Sequence, residues 1–183
     1  MSNIKNKFLD TYRKIKRIFF RKYAFDAIPY SIADMKKFKK HPTTLICEGV
    51  LVRNFSADVE IGENSQIGPY TVIFSGTKGV IIGKNVLIAP HVVISGGNHN
   101  YKNIEKPMRF SEGFSDGPII IKDGVWIGAN VTITDGVIIE EEAVIAANSV
   151  VTQDVMSYDV VGGIPARKLF NRKDFFFEKG QNV

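Results

Sequence analysis

Residues 121–151 read IKDGVW IGANVT ITDGVI IEEEAV IAANSV V, each block of six opening on isoleucine and the last residue being valine. Upstream, Ile61, Ile67 and Ile73 keep the same spacing, as do Ile82, Ile88 and Ile94. The residue after an anchor is small at nine of the twelve: Gly62, Gly68, Gly83 and Gly128, or Ala89, Ser95, Thr134, Ala146 and Thr152. Three residues after the twelve anchors, ten positions are Gly, Asn, Asp or His, the types that best accept a positive φ; Tyr70 and Glu142 are the exceptions. The pattern predicts a short strand, a left-handed corner and another short strand, with every anchor turned inward. Three hexapeptides make one 18-residue coil, so Ile61, Ile82, Ile121 and Ile139 open four successive coils, with partial coils before them near residues 44–55. A single coil cannot bury its own apolar face, and stability has to come from stacking.

The period breaks twice. Three extra residues fall between Ile73 and Ile82, around Ser75–Gly79. From Ile94 to Ile121 the step is 27 positions where six would do, which predicts a loop over 95–118 thrown from a rigid scaffold, a common place for function. The loop holds His99. An imidazole titrating near neutrality suits a general base, and the alternative is a loop histidine bonded to nearby backbone. Asn98, Tyr101 and Arg109 are candidate substrate contacts beside it. His91 occupies a corner position and is read first as a corner residue, second as part of a substrate site. His41, before Pro42, is read as a surface residue. Trp126, the one tryptophan, precedes an anchor and is predicted to point off the coil. Ala129 and Ala147, one per coil, leave room for a ligand to approach the backbone.

Gly97-Asn98-His99, Val125-Trp126-Ile127-Gly128-Ala129-Asn130, Ala146-Ala147-Asn148-Ser149-Val150-Val151 and Gly163-Ile164-Pro165-Ala166-Arg167 resemble the hexapeptide-repeat acetyltransferases that modify sugars and antibiotics. The resemblance runs over residues 61–169. It implies an all-β left-handed parallel β-helix, a hand that spacing alone does not reveal and that departs from the usual crossover rule. It further implies acetyl-CoA as donor, His99 acting directly as base, Trp126 shaping the pocket beside it, and Arg167 and Lys168 reaching the coenzyme phosphates. A homotrimer with sites between prisms is part of the same expectation. So is a sugar hydroxyl as acceptor, on a cell-surface polysaccharide or its precursor. Acetylation of an amino sugar or antibiotic amine is a close variant, and a non-catalytic scaffold is an alternative of another class. A zinc enzyme like the γ-class carbonic anhydrases needs three histidine ligands. The chain has only three in all, His41 among them, so no metal is expected.

Charge is distributed unevenly along the 183 residues. The formal net charge is +5 and the pI near 9.2. Residues 1–23 alone carry eight basic side chains against Asp10. There Ile4, Phe8, Tyr12, Ile15, Phe19 and Tyr23 follow three- and four-residue steps, the pattern of a basic amphipathic helix. Such a helix docks on the protein or lies on an anionic membrane surface. Nucleic acid is not expected, for no recognition motif accompanies the charge. The division expected is a basic helical segment over 1–43, the β-helix over 44–169 and a Phe-rich helical cap over 170–183. One cysteine, Cys47, offers no intrachain disulfide and suits a reducing cytoplasm. No apolar run approaches the length of a membrane span, and Arg21 and Lys22 interrupt any signal-like stretch.

Overall fold

An inward anchor every sixth residue, with a corner halfway between, winds the chain into a triangular prism. The structure, a computed structural model, describes residues 38–53 and 56–175. The first coil is β1 (Phe38–Lys40), β2 (Leu45–Ile46) and β3 (Leu51–Arg53). The second is β4 (Val59–Ile61), β5 (Gln66–Ile67) and β6 (Val72–Phe74), and the third β7 (Val80–Ile82), β8 (Leu87–Ile88) and β9 (Val93–Ser95). A hairpin follows, β10 (Asn98–His99) with β11 (Gly113–Phe114). The fourth coil is β12 (Ile119–Ile121), β13 (Trp126–Ile127) and β14 (Thr132–Ile133). The fifth is β15 (Ile138–Ile139), β16 (Val144–Ile145) and β17 (Val150–Val151). Then come β18 (Asp159–Gly162) and β19 (Arg167–Asn171).

Corresponding strands of successive coils pair in parallel. The first sheet runs β1-β4-β7-β12-β15, the second β2-β5-β8-β13-β16-β18 and the third β3-β6-β9-β14-β17. The result is the left-handed parallel β-helix. All twelve anchors are buried and stack in register: Ile61 on Ile82 on Ile121 on Ile139, Ile67 on Ile88 on Ile127 on Ile145, Ile73 on Ile94 on Ile133 on Val151. Each such isoleucine removed from water contributes about 1.5–3 kcal/mol. Where the inner corner is polar it is paired: the Ser65 hydroxyl donates to the Gly83 carbonyl (2.7 Å) and that of Thr44 to Gly62 (2.9 Å), each one coil onward.

Ten of the twelve corner residues have positive φ, Tyr70 (59°) and Glu142 (60°) among them. Neither is a residue that seeks that conformation, so the stacking imposes it. Gly97 and Asp154 are the two without it, at the root of the loop and beyond the last full coil.

The prism begins earlier than its sequence suggests. Phe38–Lys40 lacks β-branched residues, yet pairs with Val59–Ile61. Lys39 Nζ sits 2.8 Å from Glu60 and 3.2 Å from Asp58, and these contacts, the Glu60 hydrogen bond foremost, hold its pKa above the ordinary lysine value. At the other end, Arg167–Asn171, where the expected helical cap begins, is a strand antiparallel to β18. It covers the last edge of the second sheet, as an exposed edge requires. The expected basic helix of residues 1–23 lies outside the described residues, as does most of the C-terminal cap. No helix among the described residues is long and apolar enough to cross a membrane.

Candidate active site

Both interruptions of the repeat leave from one edge of the prism, the edge joining the third sheet to the first. Ser75–Gly79 bulges there in the second coil, and the long loop departs there from the third. Gly76 and Gly96 let these corners pass backbone against backbone, since a Cβ on Gly76 would collide with the Gly96 carbonyl. Across the loop the ladder resumes without a slip, Ile119 pairing with Val80 and Ile121 with Ile82.

His99 lies on the outgoing strand of the hairpin, exposed, opposite Gly113. Its backbone N–H donates to Asn98 Oδ1 (3.0 Å) and its carbonyl accepts from Tyr101 N–H (2.7 Å). The ring Nδ1 is 3.4 Å from the carbonyl oxygen of Ser111. A carbonyl only accepts, so this contact selects the tautomer with the proton on Nδ1 and leaves the Nε2 lone pair free. Ser111 is itself fixed: it is buried, and its hydroxyl donates to the Asn100 carbonyl (2.9 Å). Arg109 belongs to a single 3-10 turn, Met108–Phe110, and is exposed on the same loop. Asn98, His99, Tyr101 and Arg109 are thus carried together. Around them Tyr101, Ile104, Met108 and Phe110 expose apolar surface, Ile104 to 93%.

Comparison with known proteins places this architecture. The family described as bacterial transferase hexapeptide (six repeats) matches residues 118–153, and the hexapeptide repeat of succinyl-transferase matches 58–95. A hexapeptide-repeat acetyltransferase from Vibrio cholerae O1 biovar eltor, solved with acetyl coenzyme A, is 33% identical over 75% of this chain and 73% of that one, with TM-score 0.64. The chain belongs to the hexapeptide-repeat acetyltransferases. A maltose O-acetyltransferase from Clostridium difficile 630 is 26% identical over 88% of this chain and 84% of that one, TM-score 0.63. A 2,3,4,5-tetrahydropyridine-2,6-dicarboxylate N-acetyltransferase of Staphylococcus aureus (strain bovine RF122 / ET3-1) is 49% identical over 53 residues, 29% of this chain. That match spans only 22% of the relative's length.

In this hexapeptide-repeat acetyltransferase the remaining candidate residues do not all gather around His99. Trp126, 51% exposed, stands on the outer surface of the second sheet, between Leu87 and Val144. That face lies opposite the edge from which the loop departs, so one chain holds His99 and Trp126 on opposite sides of its prism. His91 is a corner residue with φ 60° on a third location, the edge between the second and third sheets, and stacks on Tyr70 of the preceding coil (ring centroids 5.3 Å). Ala129 and Ala147 lie on that same edge in the fourth and fifth coils, where Asn148 N–H donates to the Ala129 carbonyl (2.9 Å).

Arg167 and Lys168 open β19 and, with Val151, Gln153, Val155 and Asp159, line a small cavity of about 120 Å³. They differ in what holds them. Arg167 is exposed and, among the described residues, its guanidinium bonds only its neighbour's carbonyl, Ala166 (2.8 Å), whereas Lys168 Nζ pairs with Asp159 Oδ1 at 2.7 Å. Asp159 is buried and also accepts from Asn171 Nδ2 (2.7 Å), so Lys168 is committed to compensating a buried carboxylate. Among the described residues, no group of three or more His, Cys, Asp and Glu side chains is placed to hold a metal ion.

Sequence reading passed over Ser111, Ser115 and Asp135, which brace the loop. The one available signal was Asp135 itself, an acid standing just before corner Gly136.

Proposed function

We propose that this protein transfers the acetyl group of acetyl-CoA to a hydroxyl of a sugar, with His99 as general base. The observation that carries the reading is the His99–Ser111 contact, which leaves Nε2 as the proton acceptor. As the acceptor oxygen attacks the thioester carbonyl, Nε2 takes its proton. The tetrahedral intermediate then expels the coenzyme thiolate, which recovers that proton from Nε2–H. The acceptor is a sugar of a cell-surface polysaccharide or of its lipid- or nucleotide-linked precursor. Attack by oxygen rather than nitrogen is supported by the likeness to the maltose O-acetyltransferase, 26% identical over 88% of this chain, where N-acyltransferase structures of similar breadth are 21–23% identical.

The working form is a homotrimer in which the loop of one copy faces the second sheet of the next. His99 and Trp126 lie on opposite sides of one prism, and only a second copy brings them into one pocket. The outer face of the second sheet suits that role: Leu45, Leu87, Trp126 and Phe170 are all exposed apolar side chains along it. Asn98, Tyr101 and Arg109 contact the acceptor, with His91 a further candidate. Ala129 and Ala147 flank the pantetheine arm, and Arg167, more than the committed Lys168, meets the coenzyme phosphates. The protein acts in the cytoplasm, and the basic residues 1–23 hold it to the inner face of an anionic membrane, beside a lipid-linked acceptor.

The test is thiol release from acetyl-CoA with a panel of sugars, wild type against His99→Ala. An unchanged hydroxyl-acetylating rate in the variant overturns the assignment. Flotation with anionic vesicles, with and without residues 1–23, tests the membrane contact; equal binding by both overturns it.

A further inference from the structure

Two aspartates at the corners of this prism share one habit. Asp123 Oδ1 accepts the backbone N–H of Lys84 (2.7 Å) and Asp154 Oδ1 that of Ile138 (2.8 Å), each tying its own corner to the coil before it. Asp135 follows the habit with a different client. Its Oδ1 accepts the Ser115 hydroxyl (2.7 Å) and its Oδ2 accepts the backbone N–H of Asp116. Both partners belong to the returning leg of the 95–118 loop, not to a coil. Next to it Gly136, with φ 74°, lies under that leg: a Cβ there would sit 3.3 Å from Asp116 Cβ and 3.4 Å from Gly117 N. The Ser115 hydroxyl also lies 3.2 Å from the Gly96 carbonyl on the outgoing leg, so the two legs meet at this point.

We infer that Asp135 is a positioning residue for His99, acting through the returning leg of the loop. The chain of contacts is short. Asp135 holds Ser115 and Asp116, which directly follow β11; β11 pairs with β10, setting Phe114 against Asn98 and Gly113 against His99. Ser111, whose carbonyl orients the imidazole, lies two residues before β11. Among the described residues Asp135 is the only carboxylate of the prism bonded to the loop, and charge-assisted hydrogen bonds are the stronger kind. Without it the hairpin keeps its own pairing and loses its attachment to the fourth coil. The imidazole then samples positions in which Nε2 no longer meets the acceptor. The inference rests on the reading of His99 as base, and its test separates the two.

The variants are Asp135→Ala, Asp135→Asn and His99→Ala. Asp135→Ala is expected to lower kcat with acetyl-CoA and a sugar acceptor by about 10- to 100-fold, the scale of a small misplacement of a reacting group. KM for acetyl-CoA is expected to hold, because its candidate contacts are on another edge and on β19. Asn keeps one acceptor oxygen, so Asp135→Asn is expected to recover part of the loss. Trypsin supplies a readout independent of activity: cleavage after the exposed Lys102 and Arg109 should quicken about tenfold in Asp135→Ala, while the thermal midpoint stays within about 3 °C of wild type. Wild-type cleavage and kcat in Asp135→Ala, with His99→Ala inactive, overturn the inference and leave the base assignment standing. An active His99→Ala overturns the base assignment and with it the positioning role. A large fall in thermal midpoint in Asp135→Ala also overturns it, since Asp135 would then be holding the prism itself.

Discussion

Two edges of the same prism have opposite histories. The edge between the second and third sheets takes one corner residue per coil, Gly49, Tyr70, His91, Asn130 and Asn148, with φ between 58° and 69° and no insertion. The edge between the third and first sheets absorbs Ser75–Gly79 and then the whole 95–118 loop. Yet the strands on either side pair in the same register at both. A corner carries no ladder, so extra chain there costs only loop entropy, which grows slowly with length. The repeat therefore confines variation to an edge and leaves the core untouched. A site built on such an edge can change without refolding the scaffold.

Substitutions on the two sides of this division should separate cleanly. The largest effect expected is on chemistry alone: His99→Ala should lower kcat by about 10²- to 10⁴-fold with an unchanged thermal midpoint, checked by thiol release and calorimetry. Next is the core. Ile127→Ala should cost about 2–5 kcal/mol in urea unfolding. Phe110→Ser, on the exposed loop, should stay within about 0.5 kcal/mol in the same measurement. If the loop substitution destabilises the prism as much as the core one, the edge is not independent of the scaffold.

A finer contrast falls within β19. Arg167→Ala should raise KM for acetyl-CoA with little change in stability. Lys168→Ala should lower stability by roughly 1.5–3 kcal/mol, the worth of a hydrogen bond to a charge, by stranding buried Asp159. The smallest effect concerns Glu141, whose carboxyl is held below the ordinary value first by its own backbone N–H and then by the charge of Lys122, 3.5 Å away. A lowered pKa contributes stability above the ordinary carboxylate range that fades as pH falls through it. Glu141→Gln should slightly narrow the gap between thermal midpoints at pH 7 and pH 3, and a wider gap would reverse that sign.

Much of this was legible in the chain. The twelve anchors, the corners and the departure of the loop follow from spacing, because each is set by contacts between a residue and its equivalents one coil away. β1 was not legible: Phe38–Lys40 carries no anchor pattern, and its pairing depends on the neighbouring coil and on Lys39 meeting Glu60. The strand at Arg167–Asn171 was hidden for a similar reason, since its Phe-rich continuation gives no period and only the open edge of β18 calls for a partner.

What the sequence by itself determined is the period, and with it the prism, its core and the place where the chain leaves it. What only the tertiary structure decided is which side each functional residue faces. His99 and Trp126 lie on opposite sides, Lys168 turns to Asp159, and Asp135 takes hold of the loop rather than a coil. The reason is geometric. Spacing along the chain records that a side chain points out, but the direction of out turns by a third of a revolution with every hexapeptide. Only the accumulated winding tells which residues share a face.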